Sequence, residues 1–253
     1  MVGVMDSGAG GLSFVRELFE RFPGHEVLYF ADTEFFPYGV RSNQEIRERV
    51  ITISKELIGL GAKSLVLACN TATAAAVDYL RGEVEIPVIG VEPPIKPACK
   101  RWRRVLALVT PATARSERFE RLCRLHGVGR ELVVRPCPGL AELIERTEGG
   151  LGGPIKEYFG EDPGEAEAIV LGCTHYELAR EEIRSVFGQQ VEIFSPSTGA
   201  ANRFAALVAS TVEGRKNRFA LVSGNEHCLR LARQFIGDFV VEAGCDTVST
   251  SFG

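Results

Sequence analysis

Short runs of β-branched and apolar residues alternate with longer amphipathic stretches along nearly the whole chain, and this alternation restricts the fold more than any other feature. The runs are VGVM from Val2, EVLYFAD from Glu26, SLVLACN from Ser64 and PVIGV from Pro87. They continue with RVLALVT from Arg104, ELVVRPC from Glu131, AIVLGC from Ala168, VEIF from Val191 and FALVSG from Phe219. Between the second and third, SNQEIRERVITISKELIGLG places Ile46, Val50, Ile53, Leu57 and Leu60 at helical spacing, with Gly61 as a stop. Strand, helix, strand repeated in this order predicts an α/β fold, its sheets mainly parallel and covered by helices on both faces.

Two of these runs end alike. LVLACNTATA and IVLGCTHYEL each carry an apolar strand, a small residue, a cysteine and then hydrogen-bonding side chains that open a helix. Cys69 and Cys173 therefore stand in matched settings a domain's length apart. Between them, VEPPIKPA from Val91 to Ala98 breaks regular structure with three prolines and reads as a crossover, ending a first block near residue 93. A chain of 253 residues accommodates one large or two small α/β domains, and the matched loops favour two.

The net charge of −4 provides no basic face for nucleic acid, and the one basic cluster, KRWRR from Lys100, reads as a solvated helix end. No apolar run approaches the roughly 20 residues that span a bilayer. MVGVMDSG lacks the basic start of a signal peptide, so a cytoplasmic location without membrane contact is expected. The seven cysteines, Cys245 among them, show no CxxC spacing, so reduced thiols are expected rather than a disulfide framework.

In open parallel sheets, ligands bind beyond the carboxyl ends of strands, where four unusual loops fall: DSGAGG, ADTEFFPYG, CNTAT and GCTHY. A dinucleotide fingerprint starting at Gly8 would need glycine where Ser13 stands. DSGAGG is then either a turn whose free N–H groups suit a small anion or a plain connection. Cys69 and Cys173 each sit where a strand ends and a helix begins, and the partial positive charge there is expected to lower a thiol from about 8.5 toward neutrality. Either cysteine alone reads as well as a small buried residue. Asp6, Ser7, Asn70, Thr71 and Thr174 add groups able to hold a carboxylate and an amino group, with His175 as orienting, acid–base or metal-binding partner.

Several chemistries fit these groups. Zinc on Cys69, Cys173 and His175 lacks close-paired spacing, so no metal is expected. A hydrolase with Cys173 as nucleophile and His175 as base leaves Cys69 unused. A non-catalytic amino-acid-binding protein remains open. Inversion of an amino acid at Cα needs one base on each face, which two matched thiols supply. No lysine has a pyridoxal-phosphate setting, so no cofactor is expected.

DSGAGG, DTEFFPYG, CNTAT, GVEPPIKPA, TPATARSERF and GCTHY occur in that order, and together they resemble the glutamate racemase family within the aspartate/glutamate racemase superfamily. The resemblance implies interconversion of L- and D-glutamate without metal or organic cofactor, supplying D-glutamate for peptidoglycan, cell wall biogenesis and cell shape, with aspartate racemase as the competing reading. It implies two pseudo-symmetric three-layer α/β domains with the active site in the cleft between them. The division would be residues 1–93 plus 208–253, with the chain returning through FALVSGNEHCLRLARQFIG, and residues 94–207. Cys69 and Cys173 would be the acid–bases, with Asp6 assisting Cys69, and Glu145 and His175 assisting Cys173. Substrate contacts would fall to Asp6, Ser7, Tyr38, Gly39, Asn70, Thr71, Thr113, Thr174 and His175. A homodimer is implied as well. The chain departs from the family at Ala31, Phe35, Phe36 and Ser195, and in CPGLAELIE through the positions of Gly139 and Glu142.

Overall fold

The computed structural model describes residues 1–147, 149–161, 163–208, 216–237 and 241–242, so Cys245 and the rest of the chain's end lie outside the described residues. Its strands are β1 Val2–Asp6, β2 Glu26–Ala31, β3 Leu65–Leu67, β4 Val88–Gly90, β5 Arg104–Val109, β6 Glu131–Pro136, β7 Ala168–Gly172, β8 Glu192–Phe194, β9 Arg218–Ser223 and β10 Val241–Glu242. Every strand pairing among the described residues is parallel. They form a six-stranded sheet ordered β10-β9-β2-β1-β3-β4 and a four-stranded sheet ordered β6-β5-β7-β8.

The order β2-β1-β3-β4 in the first sheet is repeated as β6-β5-β7-β8 in the second. Each half thus has its topological switch beside its own first strand, and each cysteine loop follows the third strand of its half, Cys69 after β3 and Cys173 after β7. The central strands β1, β3 and β7 are buried at every position, as strands covered on both faces must be. Period-two alternation divides each core in two: Val105, Ala107 and Val109 pack on one face of the second sheet, and Leu106 and Leu108 on the other.

The stripe Ile46, Val50, Ile53 and Leu57 is buried on the helix Asn43–Gly59, which opens with a capping box between Ser42 and Glu45. Leu60 does not belong to that stripe. It lies beyond the last helical turn and is 48 % exposed, because Gly61 at φ +100° turns the chain away. The irregular crossover is shorter than VEPPIKPA suggests: a helix already begins at Ile95, with Pro97 in its first turn, where a missing N–H disrupts no helical bond. Lys100 and Arg101 form that helix's basic last turn, as the KRWRR reading expects. No described helix is long and apolar enough to cross a membrane.

Candidate active site

Both cysteines line one cavity of about 80 Å³ between the two sheets' strand ends. From the first half come Ser7, the loop Phe36–Val40, Cys69 and Thr71; from the second come Thr110, Cys137, Gly139, Glu142, Cys173 and His175. Cys69 caps the helix Asn70–Glu83, its Sγ accepting the Ala72 N–H at 3.5 Å and the Ser7 hydroxyl at 3.6 Å. Cys173 precedes a helix of only five residues, Thr174–Leu178, and makes no such cap bond; His175 Nδ1 stands 4.0 Å from its Sγ. The two loops match in sequence yet give their thiols different neighbours.

The sequence-predicted residues divide into two layers. Ser7, Tyr38, Gly39, Cys69, Thr71, Cys173 and His175 line the cavity. Asp6, Glu145, Thr174, Asn70 and Thr113 stand behind it, with side chains engaged elsewhere. Asp6 accepts the Gly8 N–H at 3.0 Å and the Thr174 hydroxyl at 2.9 Å, tying β1 to the second half. Asn70 Nδ2 donates to the Val91 carbonyl at 2.8 Å, and Tyr38 donates its hydroxyl to Asp32 at 2.6 Å, where Arg49 also binds. Thr113 is hydrogen-bonded to Thr110, the residue that reaches the cavity. Of the departures, Phe36 lines the cavity, Phe35 packs in the first half, Ala31 is buried at the end of β2, and the Ser195 hydroxyl accepts the Ser197 N–H.

The DSGAGG loop does bind a carboxylate, and that carboxylate belongs to the protein. The Ala9 N–H lies 3.3 Å from both oxygens of Glu145, on the helix Leu140–Arg146 of the other half. Glu145 Oε2 in turn stands 2.9 Å from His175 Nε2, and both side chains are nearly water-free. The glycines permit this approach. A Cβ on Gly10 would lie 2.6 Å from the His175 backbone N, and one on Gly8 would lie 2.8 Å from His175 Nε2. Gly10→Ala is therefore expected to push the halves apart and to lower stability by about 1–3 kcal/mol, read as a lower melting temperature. An unchanged melting temperature would show that the loop yields freely.

Comparison with known proteins supplies the family. Residues 2–204 match the Asp/Glu/Hydantoin racemase family. The chain belongs to that family. A glutamate racemase of Clostridium perfringens is 41 % identical over 207 residues, covering 78 % of this chain and 79 % of the relative. Among solved structures, glutamate racemase isoform RacE1 of Bacillus anthracis has a TM-score of 0.81 at 28 % identity, covering 96 % of each chain. The Escherichia coli glutamate racemase, solved with L-glutamate and the activator UDP-MurNAc-ala, also scores 0.81, at 26 % identity over 95 % of this chain and 96 % of that one. As a member of this family the chain is an isomerase, an amino-acid racemase.

The racemase fold sets the charges in its cleft. Burial pushes the Cys69 thiol up to about 12, with the neighbouring Asp6 carboxylate adding to the effect. This corrects the expectation of a thiol drawn toward neutrality: the helix N–H groups favour the thiolate, but water exclusion and Asp6 outweigh them. Burial likewise raises Asp6 above the ordinary carboxylate range, although His175 and the Gly8 and Thr174 hydrogen bonds oppose it. For His175, burial disfavours the cation, yet Glu145 and the contact with Cys173 prevail and hold it well above 6.5. Burial pushes Glu145 up as well, but His175 and the Ala9 N–H hold it below its ordinary value.

Sequence reasoning passed over Thr110, Cys137 and Glu142 as cavity residues. Thr110 was within reach of it, since it follows the first strand of the second half as Ser7 follows β1. Cys137 and Glu142 come from a loop and helix whose facing depends on the packing of the two halves. Gly139, between them, sits at φ +76°, a backbone conformation that glycine adopts without strain. Among the described residues, no three His, Cys, Asp or Glu side chains are grouped so as to hold a metal ion.

Proposed function

We propose that this racemase interconverts L- and D-glutamate, with Cys69 and Cys173 as acid–bases on opposite faces of Cα. One observation carries the reading: two thiols, each following the third strand of its own half, line the same cavity. One thiolate removes the α-proton while the other thiol delivers a proton to the opposite face, so each turnover exchanges their roles. Asp6 and Ser7 serve Cys69, the latter by its hydrogen bond to Sγ. His175, held protonated by Glu145, stands ready to exchange a proton with Cys173.

Substrate recognition follows from the same helix start. The N–H groups of Asn70 and Thr71 have no partner within their own helix and suit a carboxylate, as do the hydroxyls of Ser7 and Thr71 and the backbone of Tyr38 and Gly39. Thr174 and Thr113 act from behind, through Asp6 and Thr110. Such donors stabilise charge developing next to the α-carboxylate, and a cavity that excludes water keeps them effective. The substrate ammonium brings the positive charge that Cys69 lacks, lowering the cost of its thiolate on binding. The reading includes a cytoplasmic homodimer that supplies D-glutamate for peptidoglycan, and active-site halves divided as residues 1–93 plus 208–253 and 94–207.

Deuterated water tests the mechanism. Starting from L-glutamate, the D-glutamate formed should carry deuterium at Cα while recovered L-glutamate stays largely protiated at early times. Unlabelled D-glutamate would exclude two separate bases. Aspartate offered in parallel should turn over poorly; equal turnover would favour the aspartate reading.

A further inference from the structure

Phe35 and Phe36 are neighbours in the loop between β2 and the helix Asn43–Gly59, yet they serve different halves of the molecule. Phe35 packs in the first half, edge-on to Tyr38 at 5.7 Å, with the Arg41 guanidinium 4.3 Å over its ring. Phe36 crosses the cleft. It packs against the apolar cluster of the second half that contains Cys137, Leu140, Ile144 and Cys173. Its ring lies 5.2 Å from the His175 imidazole at an interplanar angle of 38°, and it forms part of the cavity wall.

We propose that Phe36 is a positioning residue for His175: its ring, delivered from the first half, covers the imidazole, fixes Nδ1 beside Cys173 and shields that side of the cavity from water. His175 Nε2 has Glu145 Oε2 at 2.9 Å and its Nδ1 has Cys173 Sγ at 4.0 Å, so the two ring nitrogens face those groups while Phe36 meets the ring itself. An aromatic face close to an imidazolium is attracted to it through the ring quadrupole, and more strongly where water is excluded. The ring's quadrupole favours the charged His175 while its exclusion of water opposes that charge; leucine keeps most of the water exclusion and loses the quadrupole, so the two effects separate.

The charged and titratable groups around His175 come from several elements. Asp6 reaches it from the end of β1, Glu145 and Glu142 from the helix Leu140–Arg146, and Cys173 from its own loop. Behind Glu145, Cys228 and His227 approach from the helix Glu226–Ile236. Substitution of Phe36 alters none of these groups chemically, and the comparison of leucine with tyrosine at that position separates the ring contact from the loss of bulk.

The kinetic part of this inference rests on the two-thiol reading; the contact does not. The test compares wild type with Phe36→Leu, which keeps apolar bulk but removes the aromatic face, and Phe36→Tyr, which restores the face. In protein labelled with ¹⁵N-histidine, His175 in Phe36→Leu should lose its proton about half to one pH unit lower than in wild type, and Phe36→Tyr should return it toward the wild-type value. The alkaline limb of kcat with glutamate should move by the same amount, with KM less affected. Thermal melting confirms that each variant is folded. Identical His175 titration curves in wild type and Phe36→Leu would overturn the proposal. Shifted curves in a protein that turns over neither enantiomer would uphold the contact and sink the racemisation reading instead.

Discussion

Replacing Cys69 or Cys173 by alanine, one at a time, is expected to lower racemisation by about a thousandfold or more in both directions. Each thiol serves one face of Cα, and the remaining thiol cannot reach the other, so a single loss removes inversion from either enantiomer. The second expectation distinguishes this from unfolding. A variant with one thiol still abstracts a proton from the enantiomer presented to it, so slow exchange of the α-proton with deuterated solvent should persist without inversion, for opposite enantiomers in the two variants. Both thiols are nearly buried, at 5 % and 6 % exposure, and alanine is smaller, so the fold should tolerate the change. A hydrolase built on Cys173 and His175 predicts that Cys69→Ala keeps most activity, and that result would dismiss the two-thiol mechanism.

Glu145→Gln should have the largest effect on stability. The carboxylate joins three segments: the Ala9 N–H of the DSGAGG loop, His175 Nε2 and, at 4.0 Å, the Cys228 thiol. Removing one partner of a buried ion pair costs about 3–5 kcal/mol when the other charge stays buried. His175 can reduce this cost by releasing its proton, which ties the loss to pH. In wild type, His175 is raised above its ordinary 6.5, so its contribution is fully present below that pH and fades as pH rises through the raised value. Glu145 is lowered from 4.5, so its contribution is present above that pH and is lost as pH falls through the depressed value. The ion pair therefore stabilises most between the two ordinary values, 4.5 and 6.5, where both contributions are fully present. Melting temperatures of wild type and Glu145→Gln should differ most in that interval and converge in strong alkali. A constant difference from pH 4 to 10, on the order of the variant's average loss, would show that the pair's charges contribute nothing.

The strands were legible because a buried parallel strand needs an unbroken apolar run, and β3, β7, β1 as far as Met5 and β5 after its exposed Arg104 are written that way. The cysteine loops were legible because a strand end followed by a helix start has few sequence forms, and here it occurs twice with the same residue. Leu60 was misread because helical periodicity continues past the point where a glycine at positive φ ends the helix. The thiol of Cys69 was misjudged for a different reason: the helix start is local and visible, whereas burial and the Asp6 charge are supplied by other segments.

The same division holds for the site as a whole. By itself the sequence determined the alternating fold, the repeated cysteine loops, the glycines of DSGAGG and the residue types able to act at Cα, all of which follow from neighbours along the chain. Only the tertiary structure decided which of these groups face one another. It brought Cys69 and Cys173 to one cavity, gave the Ala9 amide of DSGAGG to Glu145 and set Phe36 against His175. Those contacts join residues from opposite halves, and their energies depend on distance and on water exclusion, neither of which is set until the two sheets pack together.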